Sequence, residues 1–285
     1  MRYRLLIVLI TLIWGSSFVM VKSVTDYIAP SWILVMRFAV ASLLLALAFA
    51  PRHHAFYLEK SHVRSGLILG VILFFAYYLQ TVGITDTTPG KNAFLTATYC
   101  VIAPFTTWIF MKIRPNRFNV IAAVMCIVGI GLISLDGFSG MRFGDAMTLG
   151  CAVFYALQIT FTAKYVKDRD VYAITIWQFA TVAVLAAVVG VVSDPVPNLA
   201  ALPTDVWWQM AYLAVVVTAL ALMLQNVAQA HVPPSSAGIL LSLESVFGAA
   251  FSIALGQEDL TARIVAGFVL VFASVLVSEA LPGRK

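Results

Sequence analysis

Residues 76–104, AYYLQTVGITDTTPGKNAFLTATYCVIAP, hold the most unusual chemistry in the chain. They read as the end of one apolar helix, a short polar turn, and the start of another. The second helix carries Asn92, Thr96 and Tyr99 at spacings of four and three, which puts them on one helical face. A fainter copy lies 145 residues downstream at 221–249, ALMLQNVAQAHVPPSSAGILLSLESVFGA. Aligned without gaps, the copies share seven identities in 29 positions, among them Gln80/Gln225, Pro89/Pro234 and Leu95/Leu240. That match gains weight from its place: each half of the chain holds five hydrophobic spans, and the block falls on the third and fourth of both. The chain reads as a duplicated helical bundle.

Composition sets the solvent. The 285 residues are 61% hydrophobic and 11% charged, with a mean hydropathy of +0.95. Soluble domains carry about a quarter charged residues. Helices of roughly 20 apolar residues cross a bilayer core, and ten fit here, near 5–22, 31–50, 65–83, 92–111, 118–135, 144–163, 172–192, 206–226, 236–256 and 263–281. Prolines, glycines and charges separate them, as at Pro30, Pro51, Pro89-Gly90, Pro115, Asp136-Gly137 and Pro233-Pro234. Cys100, Cys126 and Cys151 lie inside apolar spans, where they serve as small packing residues.

Charge sets the orientation. With the N-terminus in the cytoplasm, 13 of the 18 Lys and Arg residues fall inside, four fall outside, and Arg37 lies within a span. This asymmetry follows the positive-inside rule and puts both termini in the cytoplasm. It also assigns the net charge of +5 to membrane topology, so no nucleic-acid partner is expected. Five spans per half is an odd number, so the halves enter the membrane in opposite senses. The expected architecture is an all-α integral membrane protein: ten transmembrane helices as two inverted five-helix repeats, 1–140 and 141–285, around a central cavity.

Ionisable groups in hydrocarbon cost at least about 2.5 kcal/mol each and mark sites or buried pairs. Two stand out: Glu244, near the middle of the ninth span, and Arg37, in the second. In the aligned repeats Glu244 matches Tyr99, so the two are expected to face each other. The carboxylate has three uses open to it: binding an ammonium, relaying a proton, or pairing with Arg37. Gln80 and Gln225 match near the ends of the third and eighth spans, where they belong either to gates or to interhelical hydrogen bonds. Trp14 and Ser17 are answered by Tyr155 and Gln158 at a constant offset of 141. With Tyr77, Tyr78 and Tyr99 they form an expected aromatic lining. Pro104 is expected to kink the fourth span and to act as a hinge; Gly66 and Gly70 are expected to permit close helix contact.

Several chemistries have no sequence support. There is no phosphate-binding G-x-x-x-x-G-K-[ST] loop and no H-E-x-x-H. Gly137-Phe138-Ser139-Gly140 spells an intramembrane-protease motif but falls between spans, with no histidine at membrane depth to act as base. His53, His54 and His62 share a cytoplasmic loop and read as a solvated basic segment. No catalytic residue, metal site, cofactor or obligatory protein partner is expected.

The chain resembles the EamA-type members of the drug/metabolite transporter superfamily over almost its full length. The resemblance rests on Ile13-Trp14-Gly15-Ser16-Ser17-Phe18, on Arg37 after Pro30, on Leu79-Gln80-Thr81-Val82-Gly83-Ile84, and on the stretch from Thr87 to Leu95. In the second half it rests on the stretch from Ala237 to Phe247, which includes Glu244. Two departures stand out: Ser245 occupies a place usually held by proline, and Gly256-Gln257-Glu258 alters the usual glycine-glutamate pair. The first puts a kink in the ninth span in doubt.

The resemblance implies ten helices around a central cavity in a secondary transporter of the plasma (cell inner) membrane. Its expected activity is export of small metabolites, amino acids including aromatic ones, by alternating access. The expected substrate-binding set is Trp14, Ser17, Asn92, Thr96, Tyr99, Tyr155, Gln158 and Glu244, with Arg37, Gln80, Pro104 and Gln225 as gating or structural positions. Its partners are the small-molecule substrate and the lipid bilayer. The competing readings are a passive channel or facilitator, and a multispanning membrane enzyme.

Overall fold

The computed structural model describes residues 1–134, 141–167, 169–254 and 259–280, all helix and connecting turns with no strand among them. The first helices are α1 (Arg2–Val24), α2 (Pro30–Tyr57), α3 (Lys60–Thr85), α4 (Pro89–Ala97), α5 (Tyr99–Met111) and α6 (Arg117–Ser134). Then come α7 (Phe143–Tyr165), α8 (Val171–Ser193), α9 (Thr204–Tyr212), a π-helical segment (Leu213–Leu220) and α10 (Ala221–Gln229). The last three are α11 (Pro234–Leu241), α12 (Leu243–Ala254) and α13 (Ala262–Ala280). Each of the ten expected spans falls on these helices. Joining the pieces at the interruptions, eight described helices are long and apolar enough to cross a membrane. The apolar stretches Arg117–Ile133 of α6 and Ala262–Ser278 of α13 are shorter. The Gly137–Gly140 motif, the Gly256-Gln257-Glu258 stretch, the repeat boundary at 140/141 and the C-terminal residues lie outside the described residues.

Helix starts follow the local chemistry. Pro89 opens α4, where its missing N–H costs nothing, and the Thr88 hydroxyl accepts from Lys91 N at 3.3 Å. Asp170 caps α8 by accepting from Ala173 N at 2.8 Å. The segment around His53 is helical, not a loop, because α2 runs on to Tyr57. His62 is buried in the first turn of α3, where its Nε2 accepts from Asp170 N at 3.1 Å.

The fourth and ninth spans are both interrupted, and proline causes neither break. The fourth breaks at Thr98, six residues before Pro104, which sits inside the continuous α5. The interruption of this span therefore lies upstream of Pro104. The ninth breaks at Ser242, so a break is present although Ser245 stands in the proline's place. The two breaks share one local feature. Thr98 Oγ1 donates to Leu95 O at 2.6 Å and Ser242 Oγ to Ile239 O at 2.7 Å. A hydroxyl bonded back to its own preceding turn competes with the backbone donor for that carbonyl and bends the helix.

The helices pack as a basket. α2 and α3 run along α8, α3 also runs along α7, and α6 lies against α13. Gly66 and Gly70 let α3 touch α8: a Cβ on Gly66 would lie 2.9 Å from Ile174 O, and one on Gly70 2.7 Å from Gln178 O. Gly15 of α1 meets α12 in the same way, 2.8 Å from Gly248 N. The inner faces leave a central space that none of α6, α8, α9 or α13 reaches.

Candidate functional site

That space is a cavity of ≈ 640 Å³, a figure that includes the open space at its mouth. α1 contributes Trp14, Ser17, Phe18 and Val21, and α3 contributes Leu73, Tyr77, Gln80 and Ile84. Arg37 comes from α2, Asn92 from α4, Tyr99 from α5, and Tyr155, Gln158 and Ile159 from α7. The remaining wall is Val217 of the π segment, Leu222 and Gln225 of α10, Leu241 of α11 and Glu244 of α12. Seven of the eight residues expected to bind substrate therefore share one cavity, together with Arg37, Gln80 and Gln225. Thr96 and Pro104 are not in its wall.

Both intramembrane charges face this space. Tyr99 donates its hydroxyl to Glu244 Oε1 at 3.1 Å, so the two matched positions do face each other. Arg37 is 2% exposed; its Nε donates to Thr218 Oγ1 at 3.0 Å and its guanidinium lies 5.1 Å over the Tyr77 ring. Of the uses open to Glu244, an ion pair with Arg37 is not made: each charge is held by neutral partners. Tyr155 meets Tyr77 edge-on with ring centroids 5.6 Å apart and tilts against Tyr99 at 6.0 Å. These three rings form one wall. Tyr78, expected in the same lining, instead stacks on Phe74 outside the cavity, because it is one residue out of phase with Tyr77 on α3.

Gln80 ties three helices together. Its Oε1 accepts from Tyr155 OH at 2.8 Å, its Nε2 donates to Thr96 Oγ1 at 3.1 Å, and its carbonyl accepts from Asn92 Nδ2 at 3.3 Å. Thr96 thus supports Gln80 from behind and contacts Cys151 Sγ at 3.5 Å. Asn92 also donates to Thr148 Oγ1 at 2.8 Å, Gln158 to Thr162 Oγ1 at 3.0 Å, and Gln225 to Gln229 Oε1 at 3.2 Å. The amide oxygens of Asn92 and Gln158 are buried without a hydrogen-bond partner. Such acceptors normally find a donor, which either water or an N–H group of a ligand can supply. Ser17 donates to Trp14 O at 2.8 Å, which leaves its oxygen lone pairs as acceptors toward the cavity.

Sequence reasoning missed the π-helical segment. Its wider turn presents Val217 O to Trp14 Nε1 at 3.1 Å and positions Thr218, whose hydroxyl donates to Leu213 O five residues back, to receive Arg37. π turns often sit at functional sites. The only signal was a lone Thr218 in the apolar run Leu213–Leu220. Among the described residues no three His, Cys, Asp or Glu side chains are grouped to hold a metal.

Comparison with known proteins gives a consistent picture. The sequence pattern of the EamA-like transporter family matches residues 1–135 and again 142–279. An uncharacterized transporter of Archaeoglobus fulgidus is 31% identical over 271 residues, covering 95% of this chain and 83% of that protein. The uncharacterized transporter YyaM of Bacillus subtilis is 24% identical, covering 93% and 89%. A solved crystal structure superposes with a TM-score of 0.81 at 14% identity over 97% of this chain and 96% of that one, a likeness of fold.

Proposed function

The chain belongs to the EamA-like transporter family and is a multi-pass membrane transporter; from that premise we propose that it is a secondary carrier of small zwitterionic metabolites, amino acids including aromatic ones. The observation that carries this reading is the pair of oppositely charged residue types lining one cavity, each held by neutral partners. The Arg37 guanidinium receives the substrate carboxylate. Glu244, with the Asn92 and Gln158 oxygens, receives the ammonium, and Tyr77, Tyr99, Tyr155 and Trp14 flank the side chain.

The architecture behind the proposal is ten spans in two inverted repeats, 1–140 and 141–285, rocking about the central site. Both termini are cytoplasmic, the membrane is the plasma membrane and the direction is export. The close packing around the cavity supports a carrier whose walls must part to admit an amino acid. That also disfavours a standing channel.

The test is a thermal-shift screen of purified protein against metabolites, because a ligand that prefers the native state raises its melting temperature. Counterflow of each hit in proteoliposomes follows. Saturable counterflow of an amino acid supports the proposal; flux that grows linearly with concentration assigns the chain to the facilitators.

A further inference from the structure

Two contacts at opposite ends of the bundle join corresponding positions of the two halves. Where α1 ends and α7 begins, Asp86 at the end of α3 accepts from Gly144 N at 2.9 Å. At the other end, where α1 begins and α10 ends, Tyr3 stacks on His231 with ring centroids 3.8 Å apart and planes 10° from parallel. His231 follows Asp86 by 145 positions and Gly144 follows Tyr3 by 141, the same two offsets that relate the spans of the halves. At each end, the turn after the third span of one half holds the first turn of the other half's first helix. A duplicated, inverted chain makes such a contact twice, once per face.

The chemistry of the two differs. Beside Gly144, the carboxylate of Asp145 is 2% exposed; it accepts from Lys91 Nζ at 2.6 Å, from Arg142 N at 2.9 Å and from Thr87 Oγ1 at 2.9 Å. Lys22 closes the same end by donating to the carbonyls of Ile84 and Thr85 at 2.8 and 2.9 Å. The opposite contact is an exposed ring stack, with Arg2 donating to Tyr3 OH at 3.1 Å. Each contact lies close to the cavity through hydrogen bonds. Gly144 O accepts from Thr148, whose oxygen accepts from the cavity residue Asn92. Gln229, two residues before His231, accepts from the cavity residue Gln225.

We propose that the Asp145–Lys91 cluster and the Tyr3–His231 stack are the two latches of the transport cycle, one at each mouth of the cavity, opened alternately. The proposal rests on the alternating-access reading above. The ion pair, with its carboxylate buried and its ammonium partly so, is the stronger latch, so breaking it shifts the population toward the state open at the Lys22 end. The stack is the weaker one, released when that end recloses.

Two cysteines, introduced one at a time, read the latches in the full chain: Val21→Cys, lining the cavity toward Lys22, and Leu222→Cys, lining it toward His231. Labelling by a maleimide is followed with the parent chain, whose three cysteines are buried, as background. Asp145→Asn is expected to speed labelling at position 21 by about tenfold or more and to slow it at 222, and His231→Ala to do the reverse. Exchanging the charges, Lys91→Asp with Asp145→Lys, restores slow labelling at 21. Lys91→Gln replaces Asp145→Asn if that variant fails to fold. Equal acceleration at both positions, or at neither, overturns the proposal. Counterflow on the unlabelled parent separates the two claims: its absence retires the carrier reading, whereas the labelling pattern decides the latches.

Discussion

Glu244 and Arg37 are the two charged residue types in the cavity lining, and their surroundings set what each variant is expected to do. Glu244→Gln keeps the size and the acceptor for Tyr99 but removes the charge. Transport is expected to fall at least about tenfold, the scale of a lost charge-assisted hydrogen bond, or its pH dependence to flatten, with expression unchanged. Counterflow measured across pH checks this, and an unaltered profile would remove the carboxylate from the mechanism. Thr218→Val is a different case. It takes the Arg37 Nε partner away inside the bundle, so it is expected to destabilise by about 1–3 kcal/mol, seen as a lower melting temperature. Both charges were legible in the sequence because charge is rare in apolar spans. Thr96 was legible only as a polar residue on the right face. Nothing in the spacing separates a hydroxyl that meets substrate from one that holds Gln80 in place, since that depends on the neighbouring helix.

At the scale of the element, hydropathy located every helix but not its interruptions. A hydroxyl bonded to the preceding turn stands at each of the breaks, Thr98 and Ser242. An identical residue on another helix does the same without a break, as Ser17 does in α1, so composition alone cannot identify them. The prediction that follows sets two residues of one span against each other. Pro104→Ala restores a donor within a continuous α5 and is expected to leave counterflow near the parent rate while raising the melting temperature. Thr98→Ala combined with Ser242→Ala is expected to slow counterflow severalfold, because the two bends beside Tyr99 and Glu244 straighten. A larger loss from Pro104→Ala than from the pair would return the hinge to the proline. Gly70→Leu tests helix contact alone: the side chain collides with Thr181 of α8, and overpacking of this kind costs about 1–3 kcal/mol or more, read as a fall in melting temperature.

For the whole molecule, the proposed topology makes one demand on both halves at once. Reporter tags at the α3–α4 turn and at the α8–α9 connection are expected on the face opposite the N-terminus, and a tag at the α10–α11 turn on the same face as the N-terminus. A tag at the α3–α4 turn found beside the N-terminus would undo the inverted arrangement. The offsets of 145 and 141 were visible in the sequence, but the contacts they bring together were not. Asp86, Gly144, Tyr3 and His231 are ordinary turn and end residues until the halves are superposed in space. The packed wall of rings and amides around the central cavity has a consequence for the cell that makes the protein. On the proposed carrier reading the resting protein is expected to pass no ionic current, so that abundant expression leaves the proton and sodium gradients that drive other carriers undissipated.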